Sequence, residues 1–211
     1  MASPSVAAIL LAAGVSRRMG SCKQLLQLGG KPVIARCLDT LLQGGVEQVV
    51  VVVAPAGDEV ERAARRYPVQ VVRNAEADGD MAASIRTGRG ALAPGTTGVL
   101  IALCDYPLVL ADTISSLTES HGRDPLRIIV PCHKGRRGHP PLLPRRLLDE
   151  LAPPFTLRDL LRADPQRIRQ LDLADPWVLV DMDTPEDYRR VAAAALALFP
   201  GAPLPLCGNS G

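Results

Sequence analysis

The chain has 211 residues, 47% of them hydrophobic but only 3% aromatic, so a core of ordinary size must be built from Val, Leu, Ile and Ala. That composition suits one large α/β domain with buried strands covered by helices. Lys+Arg number 24 and Asp+Glu 22, a formal charge of +2, which is too balanced for the basic face of a nucleic-acid binder.

The elements follow in chain order. Val6–Leu11 is a short apolar run that reads as a buried strand, stopping at Ala12, Ala13 and Gly14. Gly14 to Gly30 is expected to be a long loop rich in Gly, Ser, Arg and Lys. A helix is expected from Pro32, just inside its start, through Leu42, ended by Gly44 and Gly45. Gln48–Val53 reads as a second buried strand, Asp58–Arg66 as a helix, Val69–Val72 as a short strand and Met81–Leu92 as a helix. Gly98–Leu103 is a third long strand ending at Cys104, Asp105, Tyr106 and Pro107, with a helix from about Ala111.

Beyond it, Leu126–Val130 reads as a strand, followed by a Gly/Arg-rich loop to Pro140 and Pro141. Pro144–Leu151 and Leu157–Arg162 carry helical patterns, and Trp177–Val180 reads as a last strand. A helix then follows Pro185 to about Leu198. Alternating strands and helices predict a single-domain, Rossmann-like α/β fold, its mostly parallel sheet flanked by helices on both faces. The domain is expected over residues 1–198, with a poorly ordered tail at 199–211.

The five cysteines are odd in number and form no C-x-x-C pair, and Met1–Ser5 lacks the basic start of a secretory leader. No stretch approaches the roughly 18 apolar residues of a membrane span. A cytoplasmic location with free thiols is expected. Cys132 and His133 are adjacent, but no further Cys or His lies at finger spacing, which argues against structural zinc. Arg65–Arg66 and Arg145–Arg146 read as solvated surface.

In such sheets ligands sit beyond the carboxyl ends of the strands. The loops after Leu11, Leu103 and Val180 are therefore expected to hold the site. After Leu11, Ala12, Ala13, Gly14, Ser16 and Gly20 allow close approach of backbone N–H groups to a phosphate, while Arg17, Arg18 and Lys23 add charge. No Gly-Lys-Ser/Thr opens the next helix, so this is not a Walker loop; taken bare, a flexible turn with solvated arginines explains it equally well. Asp105 is placed to hold a cation against phosphates, or to act as a turn residue. At Asp181–Asp187, Thr184 reads as an N-cap, Pro185 as the first helical residue and Asp187 as the capping-box acid. Capping leaves Asp183 over as a second metal ligand.

Leu11–Gly20 with Lys23 and Leu28–Pro32, then Gly79–Gly88, Cys104–Leu108, Gly138–Pro140 and Val180–Tyr188, resemble in order the motifs of the MobA-like nucleotidyltransferases, most closely the molybdenum cofactor cytidylyltransferase branch. The resemblance spans about residues 6–195. It implies transfer of CMP from CTP to the phosphate of the molybdenum cofactor (molybdopterin), with release of pyrophosphate. Lys23, Arg18 and Asp105 would be catalytic, and Asp105 and Asp183 would hold Mg²⁺, or alternatively Mn²⁺. Leu11, Ala12, Ala13, Gly14, Ser16, Arg17, Met19, Gly20, Met81 and Ser84 would bind the nucleotide, with His139 and Pro140 on the acceptor side. The implied partners are CTP, the molybdopterin cofactor, and the recipient molybdoenzyme or its chaperone, with neither nucleic acid nor membrane.

An acceptor phosphate needs no strong base, so His139 is read as a hydrogen-bonding or structural residue. In such proteins Ala at position 13 tends to accompany cytidine and Gly guanine; the methyl of Ala13 would narrow the pocket. Relatives commonly have Gly before the metal Asp and Gln or Met after it, so Cys104 and Tyr106 depart from the pattern. Cys104 is a poor candidate nucleophile, lacking an activating partner. Alternatives are a GTP-dependent guanylyltransferase, or a cytidylyltransferase acting on a sugar or alcohol phosphate. A dinucleotide oxidoreductase is disfavoured, because no G-x-G-x-x-G follows the first strand and no acid closes the second. A non-catalytic nucleotide sensor would not need both Asp105 and Asp183.

Overall fold

A computed structural model describes residues 5–14, 19, 21–76 and 80–199. Strand β1 (Ser5–Ala12) lies at the centre of the main sheet. After it come a 3-10 turn at Lys23–Leu25, a small hairpin of β2 (Gln27–Leu28) and β3 (Lys31–Pro32), and helix α1 (Val33–Gln43). The next elements are β4 (Gln48–Val53), α2 (Asp58–Ala64), β5 (Gln70–Arg73), α3 (Met81–Arg89), β6 (Thr96–Leu103) and α4 (Ala111–Arg123). The remainder comprises β7 (Ile128–His133), β8 (Arg136–Arg137), β9 (Leu142–Pro144), α5 (Leu157–Ala163), β10 (Ile168–Asp172) and α6 (Pro185–Leu198).

The sheet runs β10-β7-β9-β6-β1-β4-β5, with β8 paired to β7. β6, β1, β4 and β5 are mutually parallel, β10 is parallel to β7, and β9 is antiparallel to both β6 and β7. The expected mostly parallel sheet is present, with two short antiparallel strands, β8 and β9. The reason its central strands are apolar throughout is visible in their alternation. Val6, Ala8 and Leu10 of β1 pack with α1, α4 and α6 on one face, whereas Ala7 and Ile9 pack with α3 and α5 on the other. Val49, Val51 and Val53 of β4 are divided in the same way from Val50 and Val52. Burial on both faces removes any need for polar positions.

Several expected elements differ. The Gly14–Gly30 segment is not wholly loop, since it holds the Lys23–Leu25 turn and β2. Pro32 is the N-cap residue of α1 rather than its first helical residue. Trp177–Val180 is not a strand; Pro176–Leu179 forms a 3-10 turn. There Asp175 accepts from the Trp177 N–H and Pro176 supplies a helical φ, so a helix-start signal overrides the β-propensity of Trp-Val-Leu-Val. The Pro144–Leu151 pattern becomes β9 followed by a 3-10 helix at Arg145–Glu150. The strand expected at Leu126–Val130 is shifted to Ile128–His133, and β10 was not expected at all.

β1 connects to β4 on one side and is flanked by β6 on the other. The crevice beyond Ala12 and Leu103 is thus a point where the winding of the sheet reverses, the usual ligand position of an open α/β sheet.

Candidate active site

The ends of β1 and β6 are held together past the last paired residues, where the Cys104 N–H donates to the Leu11 carbonyl at 3.2 Å. β6 then breaks into a turn closed by the Tyr106 N–H to the Leu103 carbonyl, which turns Asp105 into the crevice. From the other side, Gln24 anchors the Lys23 turn to the end of β1. Its buried amide donates to the carbonyls of Ala12 (3.1 Å) and Gly14 (3.0 Å). This places the Lys23 ammonium 2.9 Å from Asp105 Oδ2 and 3.0 Å from Asp183 Oδ1. Sequence reasoning passed over Gln24; a lone glutamine in a polar segment carries no signal until its two carbonyl partners are seen.

Asp183 reaches the same point without a preceding strand. Met182 is fully buried and serves as the anchor. Thr184 caps α6 in a reciprocal box with Asp187, and Asp187 also accepts from the Asp183 N–H. The capping role expected of Thr184, Pro185 and Asp187 is therefore what aims Asp183.

Burial works against the charged form of Lys23, but the Asp105 and Asp183 carboxylates outweigh it and hold its pKa above the ordinary lysine value. Lys23 is a fixed cation at neutral pH. Asp105 Oδ1 is buried without a hydrogen-bond partner. An orphaned carboxylate oxygen beside a second carboxylate is a hard donor set that fits a divalent cation. Among the described residues no three His, Cys, Asp or Glu side chains converge to hold a metal. Asp105 and Asp183 would be its protein ligands, and phosphate oxygens would be needed to complete the shell, the usual arrangement for Mg²⁺.

His139 and Pro140, expected on the acceptor side, lie next to this pair. The His139 ring packs on Tyr106 at 4.7 Å between centroids, tilted by 38°. Together with Pro140 the two rings border a small apolar cleft whose wall includes Cys37, Leu41 and Val109. Burial lowers the His139 pKa despite the nearby Asp105 and Asp181, so the imidazole is neutral at pH 7. The Tyr106 hydroxyl is pushed up to about 12 by burial and by the charges of Asp181, Asp105 and Asp183. Gly138 has a packing reason: a Cβ there would run into the Val178 carbonyl, which accepts the His139 N–H at 2.9 Å. Cys104 is buried, and its contact with the Cys37 thiol, together with burial, raises its pKa well above the ordinary value. It stays a thiol.

Leu11, Ala12, Ala13 and Gly14 line the end of β1, and Met19 follows. Met81 opens α3 and is 44% exposed, whereas the Ser84 hydroxyl is buried and accepts from the Asn74 amide at 3.1 Å. Ser16, Arg17, Arg18 and Gly20 lie outside the described residues.

The fold is that of solved nucleotidyltransferases. A nucleotidyl transferase from Methanothermobacter thermautotroptrophicus superposes with a TM-score of 0.81 at 26% identity, over 92% of this chain and 99% of that one. Rv0371c from Mycobacterium tuberculosis gives 0.78 at 29% identity, over 92% and 100%. A second structure of that mycobacterial protein, in complex with manganese, gives 0.72 at 25% identity, over 91% and 100%. Nicotine blue oxidoreductase from Paenarthrobacter nicotinovorans is 30% identical over 89% of this chain and 97% of its own length. The bifunctional protein GlmU of Halorhodospira halophila is 37% identical over 60% of the chain, which spans about a quarter of that larger protein. The protein is an enzyme of the nucleotidyltransferase class. More narrowly, residues 8–170 match the MobA-like NTP transferase domain, and the chain belongs to that family.

Proposed function

We propose that this enzyme transfers CMP from CTP to the phosphate of the molybdenum cofactor and releases pyrophosphate. The observation that carries the proposal is the Lys23 ammonium set between Asp105 and Asp183 at the mouth of the β1/β6 crevice, with one Asp105 oxygen left without a partner. Asp105 and Asp183 hold Mg²⁺, with Mn²⁺ as the alternative that the mycobacterial manganese complex suggests. The metal, when bound, supplies charge neutralisation across the phosphates. Lys23 adds a second fixed positive charge as negative charge builds on the departing pyrophosphate. The N–H groups of Ala13 and Gly14 at the β1 end orient the triphosphate, with Arg17 and Arg18 adding charge. The cleft beside His139 and Pro140 receives the acceptor.

An acceptor phosphate is ionised at neutral pH, so no group has to remove its proton, and a neutral His139 suits that chemistry. Positioning and charge stabilisation carry the reaction, as in phosphoryl transfer generally. The product would pass to a recipient molybdoenzyme or its chaperone.

The experiment is pyrophosphate release with Mg²⁺ from CTP, GTP, ATP and UTP, with and without molybdenum cofactor. Cofactor-dependent release from CTP alone supports the proposal. Release from GTP replaces the base assignment, and release only with sugar or alcohol phosphates replaces the acceptor. Because Ala13 sits at the β1 end, Ala13→Gly should move the CTP/GTP ratio of kcat/KM towards GTP by about tenfold; an unchanged ratio removes Ala13 from base selection.

One observation favours a second reading, an oxidoreductase: the similarity to nicotine blue oxidoreductase over 89% of this chain and 97% of that protein. Oxidation or reduction of nicotine blue by the protein, without pyrophosphate release from any nucleotide, would establish it instead.

A further inference from the structure

The buried side-chain polar atoms without hydrogen-bond partners, among the described residues, fall in two places. Asp105 Oδ1 and His139 Nδ1 lie at the candidate active site. Thr96 Oγ1, Ser120 Oγ, His121 Nδ1 and Arg145 Nε gather at the opposite end of β6. Orphaned buried groups cost stability, and a concentration of them marks either a ligand or a strained site. At the first place a divalent cation would take up Asp105 Oδ1. In the second, Thr96 and Arg145 are among the residues lining an open cleft of about 400 Å³ at the amino edge of the sheet.

Thr96, Thr97, Pro125, Leu126, Arg145 and Arg146 line this cleft. Thr96 is only 6% exposed, yet its hydroxyl is unused. Neither Arg145 nor Arg146 makes an ion pair or hydrogen bond among the described residues, although Arg145 is half-buried and its Nε is shut off from water. The solvated surface expected of this arginine pair holds for Arg146 but not for Arg145. The acid on the rim, Asp149, is already paired with Arg89. Leu126 is 63% exposed. Gly98 leaves room for the His121 ring, whose Nε2 lies 3.3 Å from Thr97 Oγ1.

We propose that this cleft is a second ligand site, separate from the nucleotidyl-transfer site, that takes a small organic anion bearing a phosphate or carboxylate. The Arg145 and Arg146 guanidinium groups receive its charged end; the Thr97 hydroxyl is taken by the Ser5 carbonyl. Pro125 and Leu126 cover its apolar portion. Two guanidinium groups without counter-ions match such an anion in both charge and fork geometry. β6 spans eight residues, so the cleft lies roughly 25 Å from Asp105 at about 3.3 Å per residue. A ligand here does not compete with CTP for space.

The full chain is titrated with inorganic phosphate, and separately with succinate, at constant ionic strength while backbone amide resonances are followed. The expected result is a saturable shift of Thr96, Thr97 and Leu126. Saturation by phosphate assigns the phosphate class, and saturation by succinate the carboxylate class. Arg146→Gln, an exposed change without partners to lose, should weaken that binding by about tenfold, the scale of one charge-assisted contact. It should leave pyrophosphate release unchanged. Arg145→Gln should weaken binding further, with a folded spectrum as its control. A linear response at these amides to both anions overturns the proposal. So does a shift confined to Gly14, Lys23 and Asp105, or saturation that Arg146→Gln leaves intact. None of these outcomes bears on CTP use.

Discussion

The two halves of the sheet are built on different terms. β1, β4, β5 and β6 are parallel, and β1, β4 and β6 are nearly all apolar and buried on both faces. β7 to β10 are mixed in direction, β8 to β10 are short, and they are interrupted by Pro131, Pro140, Pro141 and Pro144. The parallel half presents the Ala12–Gly14 end and the Lys23 turn, and the mixed half presents Gly138, His139 and Pro140. Asp105 stands at the seam, in the turn just past the last parallel strand before the antiparallel β9. On the proposed function, the parallel half serves the nucleotide and the mixed half the acceptor, a division that substitutions can test.

The largest effect is expected at the seam. Asp105→Asn removes the charge but not the shape, and pyrophosphate release should fall on the order of 10²–10³-fold while CTP binding persists. Equal loss of binding and turnover would move Asp105 from the chemistry to simple nucleotide retention. Next is Lys23→Met, on the parallel side. It leaves Asp105 and Asp183 facing each other without their shared cation. Mg²⁺ alone, at about ten times its Kd, should then raise the unfolding midpoint by about 3–6 °C, more than in the unaltered protein. No difference between the two proteins would argue against the carboxylate pair as the metal site.

Gly138→Ala probes the mixed half. A methyl pressed on the Val178 carbonyl should cost about 1–3 kcal/mol of stability. It should raise KM for the acceptor while leaving KM for CTP unchanged. A rise in KM for CTP instead would dissolve the division between the halves. The smallest effect concerns pH. His139 and His121 both have pKa values lowered by burial from the ordinary 6.5, so the unfolded chain binds more protons just below that value. Stability should be complete above pH 6.5 and decline as pH falls through that value towards the lowered folded pKa values. His139→Asn should flatten the decline measured by denaturant unfolding; an unaltered slope would assign it to His121 alone.

The same contrast explains what the sequence disclosed. Val49–Val53 and Val99–Leu103 could be read directly, because burial on both faces leaves an unbroken apolar run. β9 offers only Leu142 and Leu143 between prolines. β10 is an edge strand, with Arg169, Gln170 and Asp172 exposed, which blunts an edge but erases the apolar signal. Asp183 was found for a partly mistaken reason: no strand delivers it, yet the buried Met182 and the Thr184–Asp187 cap bring it to Lys23. Gln24, the Tyr106–His139 contact and the carbonyl facing Gly138 depend on neighbours distant in the chain, and local pattern carries no trace of them.

The Gln24 amide has a thermodynamic consequence. By taking the Ala12 and Gly14 carbonyls, it makes the chain leave β1 and return at one point, closing a ring of about ten residues. Bringing the ends of such a segment together costs about 2 kcal/mol of chain entropy, on the (3/2)RT ln n scaling. That cost is met when the protein folds. Whatever binds later at the end of β1 is spared that closure cost.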